Sequence, residues 1–173
     1  MRMEVRTVAV IGAGTMGAGI AQVCAQSGWH TRIFDAFPKS LENGVAKIYS
    51  FWEKGIEKGK TTEEEKNEWG QNLMPCYEIS EAVEDADLVI EAVPEIMELK
   101  KKIFLEIEKM APEYAILATN TSSLPISEIA NVTNCPERII GMHFFNPVPI
   151  CLLYTSDAAD DTPCVDLGGR RII

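Results

Sequence analysis

Two rhythms of apolar residues alternate along the chain. Short apolar runs read as strands of a buried sheet: residues 8–11 (VAVI), 30–35 (HTRIFD), 74–79, 87–93 (DLVIEAV), 114–119 and 138–144 (RIIGMHF). Between them apolar positions return every three or four residues, the spacing of one helix face. Residues 15–27 predict a helix closed by Gly28, and Leu41, Val45, Ile48 and Trp52 predict a second, ending near Gly55. In the charged stretch that follows, EKGIEKGKTTEEEKNEW, Thr62 and Glu65 stand in the T-x-x-E spacing that opens a helix. Residues of about 39–72 therefore read as a helical projection, its second part mostly solvated, with Lys54, Lys58 and Lys60 as candidate contacts for an anionic ligand. Pro94 and Glu95 predict the start of a further helix with Ile96, Leu99, Ile103, Ile107 and Met110 on one side. Pro125 falls in the first turn of a short one. Strands and helices in alternation predict an α/β fold with a doubly wound, mainly parallel sheet, whose ligands lie beyond the carboxyl ends of its strands.

The first strand runs straight into Gly12, Gly14 and Gly17, in G-x-G-x-x-G spacing, and then into a helix. That order is the dinucleotide fingerprint of a Rossmann-type domain. Gly12 permits the tight turn, Gly14 lets backbone approach a pyrophosphate, Gly17 lets helix pack on strand, and the helix start favours phosphate. The loop residues Ala13, Thr15 and Met16 belong to the same candidate cofactor contact. Asp35 ends the next apolar run 18 residues after Gly17. A carboxylate there accepts bonds from ribose hydroxyls and repels a 2′-phosphate, so NAD is expected over NADP.

Charge and cysteine usage narrow the partners. Sixteen Lys and Arg against 26 Asp and Glu leave a formal charge of −10, which disfavours nucleic acid and anionic membranes. Five scattered cysteines with no C-x-x-C pair suggest neither a disulfide framework nor a zinc site, so no metal is expected. No apolar run approaches the ~18 residues of a membrane span and no leader pattern precedes the first strand, which makes a cytoplasmic setting the expectation.

Candidate chemistry gathers after the strand ends: the glycine loop, residues 91–95, 120–123 and 143–146. His143 is one of two histidines, and an imidazole takes up and returns protons near neutrality, as oxidation of an alcohol by hydride transfer requires. Standing before two phenylalanines, it reads more often, on the residues alone, as a packed, hydrogen-bonded core histidine. Ser122, Ser123 and Asn146 either hold a substrate oxygen or bond turn backbone, and for Asn120 the turn role is favoured.

GAGTMGAGIA, DLVIEAVPE, ATNTSSLPISEIA and RIIGMHFFNPVP resemble the amino-terminal domain of the NAD-dependent 3-hydroxyacyl-CoA dehydrogenases, particularly the 3-hydroxybutyryl-CoA group, over residues 7–150. The resemblance implies that His143 is the catalytic base, Ser122 binds the substrate oxygen and Asn146 lies beside nicotinamide and substrate. It implies that Glu95, Lys100, Ser122 and Asn146 contact NAD along with the glycine loop and Asp35. It also implies an acyl-CoA substrate and a homodimer formed through a helical carboxy-terminal domain. Two rival readings are a dehydrogenase of a 3-hydroxy acid without CoA, and a non-catalytic NAD-binding protein.

The resemblance stops at residue 150. The family's histidine-orienting glutamate falls twelve residues after the histidine, where this chain has Thr155. CLLYTSDAAD looks like the in-frame translation of a transposase-end sequencing adapter, and VDLGGRRII like that of its flow-cell end. The expected organisation is an NAD-binding domain over 1–150 and a non-native tail over 151–173, with the second domain absent, NAD binding retained and little turnover. Loss of the family's next strand is expected to leave apolar surface exposed.

Overall fold

The computed structural model describes residues 5–149 and the backbone of 153–157. Six strands run parallel: β1 Thr7–Ile11, β2 His30–Phe34, β3 Leu73–Cys76, β4 Leu88–Glu91, β5 Ile116–Thr119 and β6 Ile139–Phe144. Their order in the sheet is β3-β2-β1-β4-β5-β6, so the chain returns to β1 and reverses direction there, the arrangement of a doubly wound fold. β7, Leu153–Asp157, continues the sheet antiparallel to β6. β7 thus pairs with β6 where loss of the family's next strand is expected to leave apolar surface exposed. The adapter-like reading of 151–173 otherwise lies outside the described residues.

Period-two patterning explains why β1 is central. Val8 and Val10 pack into a core with Ile20, Ile33, Leu41, Ile48 and Trp52, while Ala9 and Ile11 pack on the other face with Val89, Phe104, Ile107 and Leu117. Helices α1 (Thr15–Gln26) and α2 (Pro38–Glu57) cover the first face. α4 (Ile79–Val83), α5 (Met97–Met110) and α6 (Ile126–Ala130) cover the second. α3 (Glu63–Gln71) opens with the expected reciprocal capping of Thr62 and Glu65, contains no fully buried residue, and touches α2 through Trp69 against Trp52.

Three sequence expectations shift. β3 is one residue earlier at its start and stops at Cys76, because Ile79 belongs to the unforeseen α4. Pro75 is tolerated there since β3 is an edge strand. α5 starts at Met97 rather than at Pro94, which leaves Glu95 in the loop. Its fully buried positions are Lys100, Phe104 and Ile107, whereas Ile96 is 56% exposed. The buried face is thus rotated from the apolar stripe, and a lysine occupies its amino-terminal end.

Candidate functional site

The parallel sheet delivers the ends of β1, β2, β4, β5 and β6 to one edge, and the glycine loop occupies its middle. Gly12 has φ +106°, and a Cβ there would lie 2.8 Å from the Ala92 carbonyl oxygen. On Gly17 a Cβ would fall 1.7 Å from the carbonyl oxygen of Gly12, so the helix packs against the loop with no room for a side chain. Over Gly14 the space is open, with nothing within 4 Å of a Cβ. Gly14 caps α1 without a side-chain bond, and no acidic residue stands in the first turn. The first-turn N–H groups, including those of Thr15 and Met16, are therefore donors at a positive helix end beside an open cradle, which fits a pyrophosphate.

Asp35 is bonded to that cradle. Its Oδ2 accepts the Ala13 N–H at 2.8 Å and its Oδ1 accepts the Phe37 N–H at 2.9 Å. Each oxygen retains a further acceptor site, so the carboxylate can take ribose hydroxyls while fixed in place.

At the end of β4 stands a group that composition and spacing did not single out. Glu91 is 0% exposed, in an otherwise apolar strand. It accepts from Lys100 Nζ at 2.7 and 3.0 Å, from Thr119 Oγ1 at 2.7 Å and from the Val93 N–H at 2.7 Å. Lys100, 1% exposed, is also 3.3 Å from Glu95 Oε2 and donates to the Val93 carbonyl at 3.4 Å. A carboxylate inside an apolar strand demands a buried partner, and that demand was the signal in DLVIEAVPE pointing to Lys100 as a core residue.

Glu95 gathers the next loop. Its Oε1 accepts the Thr121 hydroxyl, the Ser122 N–H at 3.0 Å and the Ser123 N–H and Oγ at 3.3 Å. Burial pushes its pKa up, but the Thr121 hydroxyl, the Lys100 charge and the Ser122 N–H outweigh burial and hold the carboxyl below its ordinary value. Ser122 itself is exposed. Asn120 does more than form a turn: its Oδ1 accepts the Phe144 N–H at 2.8 Å, tying the end of β5 to the end of β6.

His143 lies half-buried near the end of β6, edge-on to Phe145 with ring centroids 4.8 Å apart. Its Nδ1 is buried and has no hydrogen-bond partner among the described residues. The register sets Tyr154 opposite His143 and Thr155 opposite Met142. Asn146 is exposed, two residues beyond the strand. The structure thus joins the glycine loop to Asp35, and Lys100 to Glu95 to Ser122, by hydrogen bonds. No such bond among the described residues links His143, Ser122 and Asn146 to one another. Lys54, Lys58 and Lys60 are exposed at and beyond the last turn of α2. Among the described residues there is no cluster of three or more His, Cys, Asp or Glu able to hold a metal, and no helix long and apolar enough to cross a membrane.

Residues 7–154 match the family described as the NAD-binding domain of 3-hydroxyacyl-CoA dehydrogenase. A Bacillus subtilis protein named "Probable 3-hydroxybutyryl-CoA dehydrogenase" is 45% identical over 151 residues, covering 87% of this chain and 52% of that relative. Among solved structures, Mycobacterium tuberculosis FadB2 superposes with a TM-score of 0.83 at 38% identity, over 86% of this chain and 52% of the other. The (S)-3-hydroxybutyryl-CoA dehydrogenase PaaH1 of Ralstonia eutropha gives 0.84 at 40% identity, over 88% and 54%. The chain spans about half the length of these relatives.

Proposed function

The chain belongs to the 3-hydroxyacyl-CoA dehydrogenase family through its NAD-binding domain, and from that premise we propose that the whole protein oxidises an (S)-3-hydroxyacyl-CoA, 3-hydroxybutyryl-CoA in particular, to the 3-oxoacyl-CoA, or runs the reverse. The observation that carries the reading is the convergence on one sheet edge of a phosphate cradle bonded to Asp35, the Glu95-held turn bearing Ser122, and His143. The cofactor is NAD, and bound there it supplies the hydride acceptor. In this proposal residues 12–17 and Asp35 hold its pyrophosphate and adenosine ribose. Glu95, Ser122 and Asn146 hold the nicotinamide half and the substrate oxygen. Lys100 acts on that half through Glu95, since its ammonium is buried between Glu91 and Glu95.

His143 accepts the hydroxyl proton as hydride leaves C3 of the substrate. An imidazole doing so needs its other nitrogen fixed and its positive charge stabilised, yet Nδ1 has no partner among the described residues. By analogy with a triad that loses its orienting carboxylate, we place turnover by the 173-residue chain about 10⁴ below that of a partnered histidine. The same proposal includes a cytoplasmic setting, a place in fatty-acid or butanoate metabolism, and a homodimeric whole protein. Assaying NADH oxidation with acetoacetyl-CoA and with free acetoacetate tests it. A full-length relative of this sequence is expected to prefer the CoA ester strongly. Equal rates on both would overturn the substrate assignment, and rapid turnover by this chain would overturn the role given to the missing partner.

A further inference from the structure

Phe37 is 71% exposed, the most exposed of the large apolar side chains among the described residues. Its backbone gives it a fixed position. The Phe37 N–H donates to Asp35 Oδ1 at 2.9 Å, and the Phe37 carbonyl accepts from Ser40 and Leu41 at 2.9 and 3.2 Å. Phe37 is thus the residue from which α2 begins, with extended backbone. The same Asp35 carboxylate is bonded through Oδ2 to Ala13 in the glycine loop. One carboxylate therefore ties the phosphate cradle and the Phe37 backbone together.

We propose that Phe37 is the stacking surface for the adenine base of the cofactor. The inference rests on the NAD reading and deepens it. Where a carboxylate at the end of the second strand takes the adenosine ribose hydroxyls, the base, attached at the neighbouring ribose carbon, must leave that carboxylate within a few ångströms. Every base has a flat π-face, and an aromatic ring already held open to solvent gains by covering it. Because the Phe37 backbone is fixed by these bonds, binding has to order only the ring's own side-chain torsions.

Calorimetric titration of the 173-residue chain with NADH, ADP-ribose and reduced nicotinamide mononucleotide tests this directly. Phe37→Ala is expected to weaken NADH and ADP-ribose roughly tenfold, in the range of aromatic–base stacking, and to leave the mononucleotide, which lacks adenine, within twofold. Phe37→Trp is expected to restore both. Phe51→Ala removes another exposed phenylalanine about 20 Å further along the same helix and is expected to change nothing. Thermal melts of each variant report folding, which an exposed ring is expected to leave intact. An unchanged ADP-ribose affinity in Phe37→Ala, an equal loss in Phe51→Ala, or no recovery in Phe37→Trp would each overturn the proposal. Failure of the unaltered chain to bind NADH would instead strike the cofactor reading beneath it.

Discussion

The ends of β4 and β6 lie on the same edge of the sheet and handle buried polarity in opposite ways. At β4, Glu91 spends its carboxylate on a lysine, a hydroxyl and a backbone N–H, and Lys100 passes the connection on to Glu95 and the turn at 121–123. At β6, His143 has a buried Nδ1 with no partner among the described residues. The first region is a closed network whose members fix one another; the second presents a side chain that packs edge-on to Phe145 and whose Nδ1 has no hydrogen-bond partner among the described residues. Under the proposed function the first region would meet the cofactor with its polar groups already bonded to one another, and the second would carry the proton transfer on an imidazole whose Nδ1 has no partner among the described residues.

The sharpest way to break this contrast is to open the network. Glu91→Ala strands the Lys100 ammonium in the core, which is expected to cost about 3–5 kcal/mol of stability in urea unfolding. A paired Glu91→Leu, Lys100→Met variant is expected to recover most of that loss, since two apolar side chains replace two mutually dependent charges. If the single variant unfolds at an unchanged midpoint, the pair is not structural. Gly17→Ala comes next, because its Cβ would lie 1.7 Å from backbone that cannot move aside cheaply. A loss of roughly 1–3 kcal/mol is expected, together with weaker NADH binding as the cradle spreads. Wild-type affinity in that variant would show that the loop tolerates displacement.

At the opposite pole, His143→Phe keeps a ring of similar shape and removes the unpartnered Nδ1. Stability is expected to stay level or rise by up to about 1 kcal/mol, while NADH affinity stays within twofold. A destabilisation comparable to that of Glu91→Ala would mean that His143 has a partner beyond the described residues.

How far these two regions could be read from residues alone follows from the kind of force that sets each. The order of strands, the glycine turn and the placement of His143 near a strand end follow from period-two runs and φ-demanding glycines, which are local properties. α2 buries Leu41, Ile48 and Trp52 for the same reason. The β4–α5 loop is different. Its helix starts late and turns toward Lys100 because a carboxylate nine residues earlier needs a counter-charge, a dependence no hydrophobic period records. Asn120 reads as a turn residue on propensity, yet its partner is Phe144, 24 positions away. The seventh strand begins beyond residue 150, where the resemblance in the sequence stops, and pairs antiparallel with β6.

The smallest expected effect tests whether Glu95 is ionised as part of the β4 network. Folding holds its carboxyl below the ordinary value of 4.5, burial being outweighed by Thr121, Lys100 and Ser122. A depressed folded pKa means that the folded chain keeps the group ionised where the unfolded chain has begun to bind a proton. Its stabilisation is then fully present above 4.5 and disappears as pH falls below that value, through the depressed folded pKa. Because the side chain is 36% exposed, solvent screening limits the gain to under about 1 kcal/mol. Unfolding curves for the unaltered chain and for Glu95→Gln, taken at steps from pH 7 downward, are therefore expected to differ by a few tenths to about 1 kcal/mol at neutrality. The gap should close once the carboxylate protonates. A gap that stays constant on acidification would mean that Glu95 holds the 121–123 turn by shape and neutral hydrogen bonds. The charge linking the two halves of the edge would then end at Lys100.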